Sequence, residues 1–274
     1  MKIQYQDQYI TVFESALYRT TCTLIERAEH YLLVDPNWLP IEVAFIAEKV
    51  SLIDANKQAY LLFTHSDYDH IIAYERFMTD AKVIASQAFV DHPNPEKELK
   101  TIREFDEEYY IQRSYPISYP KVDIAIAGTE KRQLGNDTYH FLPADGHNRD
   151  GILTFHEELG VLILGDYLSN LEFPFIYESV AAYQATLDRI TTLLNTGQVQ
   201  LLITGHGDCT KSPSEMQKRL EQSQNYLGHL RKAVLEDTNF PEEDLWKQYA
   251  PSTFLKKAHQ ENLNLARKEL LGRG

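Results

Sequence analysis

The stretch Thr64-His65-Ser66-Asp67-Tyr68-Asp69-His70 places four side chains able to bind a metal within six residues, directly after the apolar run Ala59-Tyr60-Leu61-Leu62-Phe63. Imidazoles and carboxylates crowded at the end of a buried strand are costly. A cation removes the cost by neutralising the carboxylates and taking the imidazole lone pairs. Three later signals set a donor beside a glycine: Gly146-His147, Gly165-Asp166 and Gly205-His206. Either His65 or His147 alone would read as an ordinary hydrogen-bonded histidine; the whole set points to a two-metal hydrolase centre. Imidazole nitrogen and carboxylate oxygen both suit zinc, manganese or iron at about 2.0–2.2 Å. Two ions about 3.5–4 Å apart can share a hydroxide and stabilise a developing oxyanion.

The elements that must carry these donors follow from the apolar pattern. Tyr9 to Phe13, Leu17 to Ile25 and Tyr31 to Val34 are β-rich and partly alternating. Residues 41–50 have helical spacing, Tyr60 to Phe63 is a short buried strand, and Ile71 to Met78 continues as a helix behind the donor motif. Val83 to Ala85 reads as a strand, whereas 86–120 reads as a helical or irregular insertion ending in a proline-rich loop. Val122 to Ala127, Tyr139 to Leu142, Gly151 to Phe155, Val161 to Leu164 and Leu201 to Thr204 return to strand character, with a helix over 178–194. Helices over roughly 212–236, 241–249 and 252–271 start near Pro213, Pro241 and Pro251. Strands, helix, strands, helix, with donors at strand ends, suggest two sheets sandwiched by helices.

Composition narrows the function. The chain of 274 residues can bury a full core, and its formal charge, 27 minus 40, is −13. That balance argues against a nucleic-acid or anionic-membrane partner, which demands basic stripes. No stretch approaches the roughly 18 apolar residues of a membrane span, and the N-terminus has no apolar core of signal-peptide length. Cys22 and Cys209 form no CxxC pair, which suits a reducing cytoplasm. No Ser-x-x-Lys or Gly-x-Ser-x-Gly supports a serine nucleophile, and no glycine loop suggests a nucleotide.

The donor set resembles the metallo-β-lactamase superfamily, whose hallmark is HxHxDH after a strand, then a His, a bridging Asp and a last His. His65, Asp69 and His70 match the first motif; His147, Asp166 and His206 match the later ones, at gaps of 77, 19 and 40 residues. Asp35, in Leu33-Val34-Asp35-Pro36, matches the early structural Asp of the family. The resemblance covers residues 9–210. It implies an α/β (α+β) fold, a four-layer αββα sandwich over 1–210 with the 86–120 insertion, and a helical C-terminal extension over 211–274. It implies two divalent metal ions, zinc first, with manganese or iron as alternatives. The first would take His65, position 67 and His147, and the second Asp69, His70 and His206, with Asp166 bridging. Asp69 and Asp166 would be the catalytic carboxylates. Asp67 departs from the family's usual His. Either it ligates, making the first site more anionic and harder, or it turns away and leaves the second site as the one that fills well.

Further residues stand between two readings. Arg149 could hold a substrate carboxylate or phosphate, or sit on the surface or against Asp150. Tyr167 could donate to an oxyanion, or pack at a strand end. Phe173, Phe175 and Tyr177 form either a substrate wall or core against the C-terminal helices; Tyr109, Tyr110, Tyr115 and Tyr119 form a lid or a dimer surface. Cys209 and the remaining histidines (30, 92, 140, 156, 229 and 259) read as ordinary. The C-terminal helices either cap the substrate side or pair with a second copy, so a homodimer and a monomer both stay open. The expectation is a cytoplasmic hydrolase whose metal-bound hydroxide attacks a small ester, thioester, lactone or phosphoester. The alternatives are a di-iron or mono-iron oxidoreductase of the same fold, or a non-catalytic ligand sensor.

Overall fold

Alternation of apolar and polar residues builds the first sheet of the computed structural model, which describes residues 1–272. β1 (Lys2–Gln6), β2 (Ile10–Glu14), β3 (Thr21–Glu26) and β4 (His30–Val34) run antiparallel, and α1 (Pro40–Ser51) crosses to β5 (Gln58–Leu62), parallel to β4. Two short helices, α2 (Tyr68–Ile71) and α3 (Tyr74–Phe77), lead to β6 (Ala81–Ser86); α4 (Gln87–Val90), α5 (Pro95–Glu108) and an irregular stretch lead to β7 (Ile124–Ile126). These seven strands lie in chain order, the last four parallel. The second sheet takes β8 (Glu130–Leu134), β9 (Asp137–Pro143), β10 (Ile152–His156) and β11 (Val161–Ile163) antiparallel. After α6 (Val180–Asn195), β12 (Leu201–Ile203) returns parallel to β11 at the edge. α7 (Pro213–Leu235), α8 (Glu242–Gln248) and α9 (Thr253–Leu271) follow.

Side-chain alternation assigns the layers. Leu32 and Val34 of β4 and Leu62 of β5 face Phe141, Ile163 and Ile203 of the other sheet. Leu33 and Leu61, one residue on, face Val43 and Ile46 of α1. Across the molecule, Leu153, Phe155 and Leu162 pack against Leu187 of α6, Leu227 of α7 and Leu263 of α9 in one continuous core. Each such fully buried side chain contributes about 1.5–3 kcal/mol. The order helix, sheet, sheet, helix is the four-layer α/β architecture expected, with the C-terminal helices laid on its outer face. Among the described residues no helix is long and apolar enough to cross a membrane.

Two strands lie where none was expected, and two local expectations need correction. β1 and β8 are edge strands of polar sequence (KIQYQ, EKRQL), so they carry little apolar alternation. The tight Gly135-Asn136 turn was the available signal for β8. The helix expected over 71–78 is instead α2 and α3, because Ile71, Ile72, Ala73 and Tyr74 are all buried and four successive residues exceed one helical face. Strand character expected from Leu17 starts at Thr21, since Tyr18 and Arg19 take left-handed conformations (φ 51° and 50°) that turn the chain over the cavity described below.

Candidate metal centre

Every donor lies beyond a strand at the same end of the sandwich, on a loop or, for Asp69 and His70, in the short helix α2. β5 runs into Thr64–His70, the β9–β10 connection carries His147, and Asp166 and His206 follow β11 and β12. Two close approaches explain the glycines. A Cβ at Gly205 would overlap the Asp166 carboxylate, and one at Gly146, whose φ is +117°, would overlap the Tyr183 backbone.

The donors form two groups: His65, Asp67, His147 and Asp166, and beside them Asp69, His70 and His206. In the first, His147 Nε2 lies 3.1 Å from Asp67 Oδ2 and 3.4 Å from Asp166 Oδ2, and His65 Nε2 lies 3.6 Å from each. In the second, His206 Nε2 and His70 Nε2 stand 3.4 and 3.6 Å from Asp69 Oδ2. Asp166 reaches this group too, 3.3 Å from both imidazoles, so its carboxylate stands between the two. Asp67 points into the cluster, its other oxygen accepting from Asn148 Nδ2 at 3.1 Å.

These residues fit a pair of divalent ions. Each Nδ1 already has a partner: Thr64 Oγ1 at 2.9 Å for His65, Asp35 Oδ2 at 3.0 Å for His70, the Phe175 carbonyl at 2.9 Å for His147 and the Tyr18 carbonyl at 3.1 Å for His206. A proton held at Nδ1 leaves the Nε2 lone pair free to ligate. His65 Nε2, His70 Nε2 and Asp166 Oδ1 are buried with no hydrogen-bond partner, an arrangement that calls for a cation. Asp35 is the organiser on the first sheet. Besides His70 it accepts the Thr64 amide at 2.8 Å and the Thr64 hydroxyl at 2.6 Å.

Electrostatics agree. Burial opposes the charged imidazole, yet the surrounding carboxylates raise His147 to about 9 and His206 to about 10, and His70 well above its ordinary value. Burial would raise Asp67 and Asp166 as well, but hydrogen bonds from His147 and His65, and the charges of His206, His70 and His65, hold them well below the usual carboxylate range. Without a metal, protons do the neutralising.

The donors floor a cavity of about 130 Å³ whose other walls are Tyr18, Tyr68, Glu172, Phe175, Tyr177 and Phe254. Phe175 and Tyr177 are therefore walls, whereas Phe173 is core, stacked on Tyr226 at 5.0 Å. Glu172 and Phe254 were missed. Glu172 sat unnoticed inside the aromatic LEFPFIY segment, and Phe254, far along the chain, arrives by folding of α9 alone. Two expected substrate residues lie elsewhere. Arg149 is exposed and lines a different hollow with Ser86 and Gln87. Tyr167 is buried; its hydroxyl donates to the Asp145 carbonyl at 2.7 Å and accepts the His147 amide at 3.0 Å, so it holds the His147 loop and does not reach the cavity. Tyr109 and Tyr110 are exposed, and Cys209 is half-buried with no place among the donors.

The extension also touches the centre. Asn262 of α9 accepts the Ile176 amide at 3.0 Å and donates to the Pro174 carbonyl at 2.6 Å, bracketing the Phe175 carbonyl that orients His147.

The model of the metallo-β-lactamase superfamily matches residues 17–196. Among solved structures, an archaeal superfamily protein from Sulfolobus tokodaii is 18% identical, with 98% of this chain and 100% of that one covered at a TM-score of 0.58. A stereoselective inverting sec-alkylsulfatase from a Pseudomonas species is 13% identical over 98% of this chain and 50% of its own, at 0.67. Rubredoxin oxygen:oxidoreductase from Desulfovibrio gigas is 14% identical over 83% and 62%, at 0.55. At such identities these likenesses concern the fold alone. No curated protein matches the chain.

Proposed function

The chain belongs to the metallo-β-lactamase superfamily, and from that premise we propose that it is a metal-dependent hydrolase of a small ester, thioester, lactone or phosphoester. The observation that carries this reading is the convergence of four Nε2 atoms and three carboxylates, two nitrogens and one oxygen of them orphaned, with Asp67, Asp69, His147, Asp166 and His206 of the set lining a small cavity. His65, Asp67 and His147 would hold one divalent ion and Asp69, His70 and His206 the other, with Asp166 between. When bound, such ions lower the pKa of water and polarise the scissile oxygen. Zinc is the first expectation, with manganese or iron favoured in proportion as Asp67 hardens the first site.

The chain's own residues then act as follows. The Asp69 carboxylate takes the proton of the attacking water; its Oδ2 is held by the Thr20 hydroxyl at 3.4 Å, itself fixed by Trp38 Nε1 at 2.9 Å. Asp166 holds the two donor groups in register. The aromatic walls exclude bulk water, which strengthens every charge interaction inside. The two free cysteines suit a reducing cytoplasm.

A carboxylate in place of the family's usual imidazole also favours a second reading, a di-iron oxidoreductase. Metal content of protein purified without added metal or chelator separates the two. About two zinc or manganese ions per chain, with turnover on an ester and thioester panel, supports the hydrolase. Two irons with oxygen consumption and no ester turnover overturns it in favour of the oxidoreductase.

A further inference from the structure

Above its floor, the metal cavity is walled by aromatic rings and a single additional carboxylate. Glu172 belongs to neither donor group. Among the described residues that line the cavity there is no lysine or arginine. A half-buried carboxylate with no lysine or arginine beside it is costly unless a ligand or ion supplies the compensating charge. The rings are disposed to help: Tyr18, Tyr177 and Phe254 leave 50%, 49% and 51% of their surface exposed at the mouth. Tyr18 stacks on Phe254 at 6.3 Å, and Phe254 meets Phe175 edge-on at 5.6 Å. Aromatic faces beside a carboxylate form a receptor for a desolvated cation. An anionic group placed there would meet Glu172 with no guanidinium or ammonium to offset it.

We propose that the substrate carries an ammonium-class cation, seated between the aromatic mouth and Glu172, on an acyl compound whose scissile carbonyl lies over the donor groups. This rests on the hydrolase reading of the same site. In the thioester case, the water oxygen bonds to the acyl carbon, the carbon–sulfur bond breaks with its electron pair on sulfur, and the water proton leaves through Asp69.

The test uses three thioesters of matched size with the metal-loaded protein: acetylthiocholine, its uncharged isostere S-(3,3-dimethylbutyl) thioacetate, and 3-(acetylthio)propanoate. The expected kcat/KM favours the cation over the uncharged isostere by about tenfold, with the anion slowest. Glu172→Gln brings the first ratio close to one, and Phe254→Leu lowers it. A readout independent of turnover is calorimetric binding of choline against 3,3-dimethylbutan-1-ol, in which choline is favoured in the wild type and not in Glu172→Gln. Turnover that ignores or reverses the charge series, with no choline preference, overturns the inference and leaves the hydrolase reading standing. No turnover of any thioester, with a Glu172-dependent choline preference, supports the cation site and overturns the thioesterase form of the hydrolase reading.

Discussion

The sandwich contains two buried clusters of histidine and carboxylate, and they are built in opposite ways. At the far end from the donor loops lie His30, Asp137, Tyr139 and His156, all buried, with Glu158 exposed beside them. Asp137, His156 and Glu158 stand as close together as metal ligands would. Yet Asp137 is paired with Arg27 at 2.8 Å, His30 Nε2 meets the Tyr139 hydroxyl at 2.9 Å, and His156 Nδ1 accepts the Leu159 amide at 3.3 Å. That last bond puts the His156 proton on Nε2, leaving no lone pair for a metal. Burial pushes His30 down and His156 down to about 4, whereas the donor cluster drives His147 and His206 up. Proximity alone therefore does not make a metal site. What distinguishes the donor cluster is that its imidazoles are anchored from behind and its carboxylates have no lysine or arginine partner.

The largest test removes one imidazole from each cluster. His206→Ala should lose an ion and about a thousandfold in kcat/KM, roughly 4 kcal/mol of transition-state stabilisation. His156→Phe should keep the wild-type metal content, measured by elemental analysis, and lower thermal stability instead. If His156→Phe lost an ion, the distinction between the clusters would collapse.

Next in size is the organiser. Asp35→Asn keeps the shape but weakens acceptance from His70 Nδ1 and the Thr64 hydroxyl. Metal affinity by competition with a chromophoric chelator should fall 10- to 100-fold, as expected of carboxylates that orient metal-binding histidines. A change below twofold would mean that the Thr64 and His70 positions are held by packing.

How much of this was legible follows from the same contrast. All seven residues that the fold brings into the two groups could be read from the chain, because each follows a strand end and four sit in one short segment. Asp35 could be read from its motif, but its two partners could not. The cluster at His156 was invisible because its members come from β4, β9, β10 and the turn after β10 and meet only when the sheets stack. Glu172 and Phe254 were hidden for a related reason: a cavity wall is made by loops and a distant helix with no shared spacing. Polar edge strands escaped notice because neither face is fully buried.

Titration should separate the clusters by sign. In chelated protein, His147 and His206 have folded values of about 9 and 10, above an unfolded value of about 6.5. Their stabilisation is complete below about 6.5 and is lost as pH rises through 9–10. His156, at about 4, stabilises fully above about 6.5 and loses that contribution as pH falls toward 4. Between pH 7 and 5 the loss is about 2 kcal/mol. Denaturant melts across pH should show His156→Phe flattening the acid limb and His206→Ala flattening the alkaline one. Metal loading at pH 7 should also release protons from the donor cluster, seen as buffer-dependent heats.

The smallest expected effect belongs to Arg149, which sits two residues from a donor in sequence but lines a different hollow. Arg149→Ala should leave metal content intact, alter kcat/KM by less than about twofold and shift stability within about 0.5 kcal/mol, the range of exposed positions without special contacts. Tyr167→Phe, at the same cluster but buried, should cost more, because it leaves the Asp145 carbonyl and the His147 amide without the shared hydroxyl. Its expected penalty is about 1–3 kcal/mol in stability, with a smaller change in kcat than in metal affinity. A large drop in kcat/KM for Arg149→Ala at unchanged metal content would mean that the substrate extends over the loop to reach the guanidinium, and with an anionic substrate it would argue against a cation seated at Glu172.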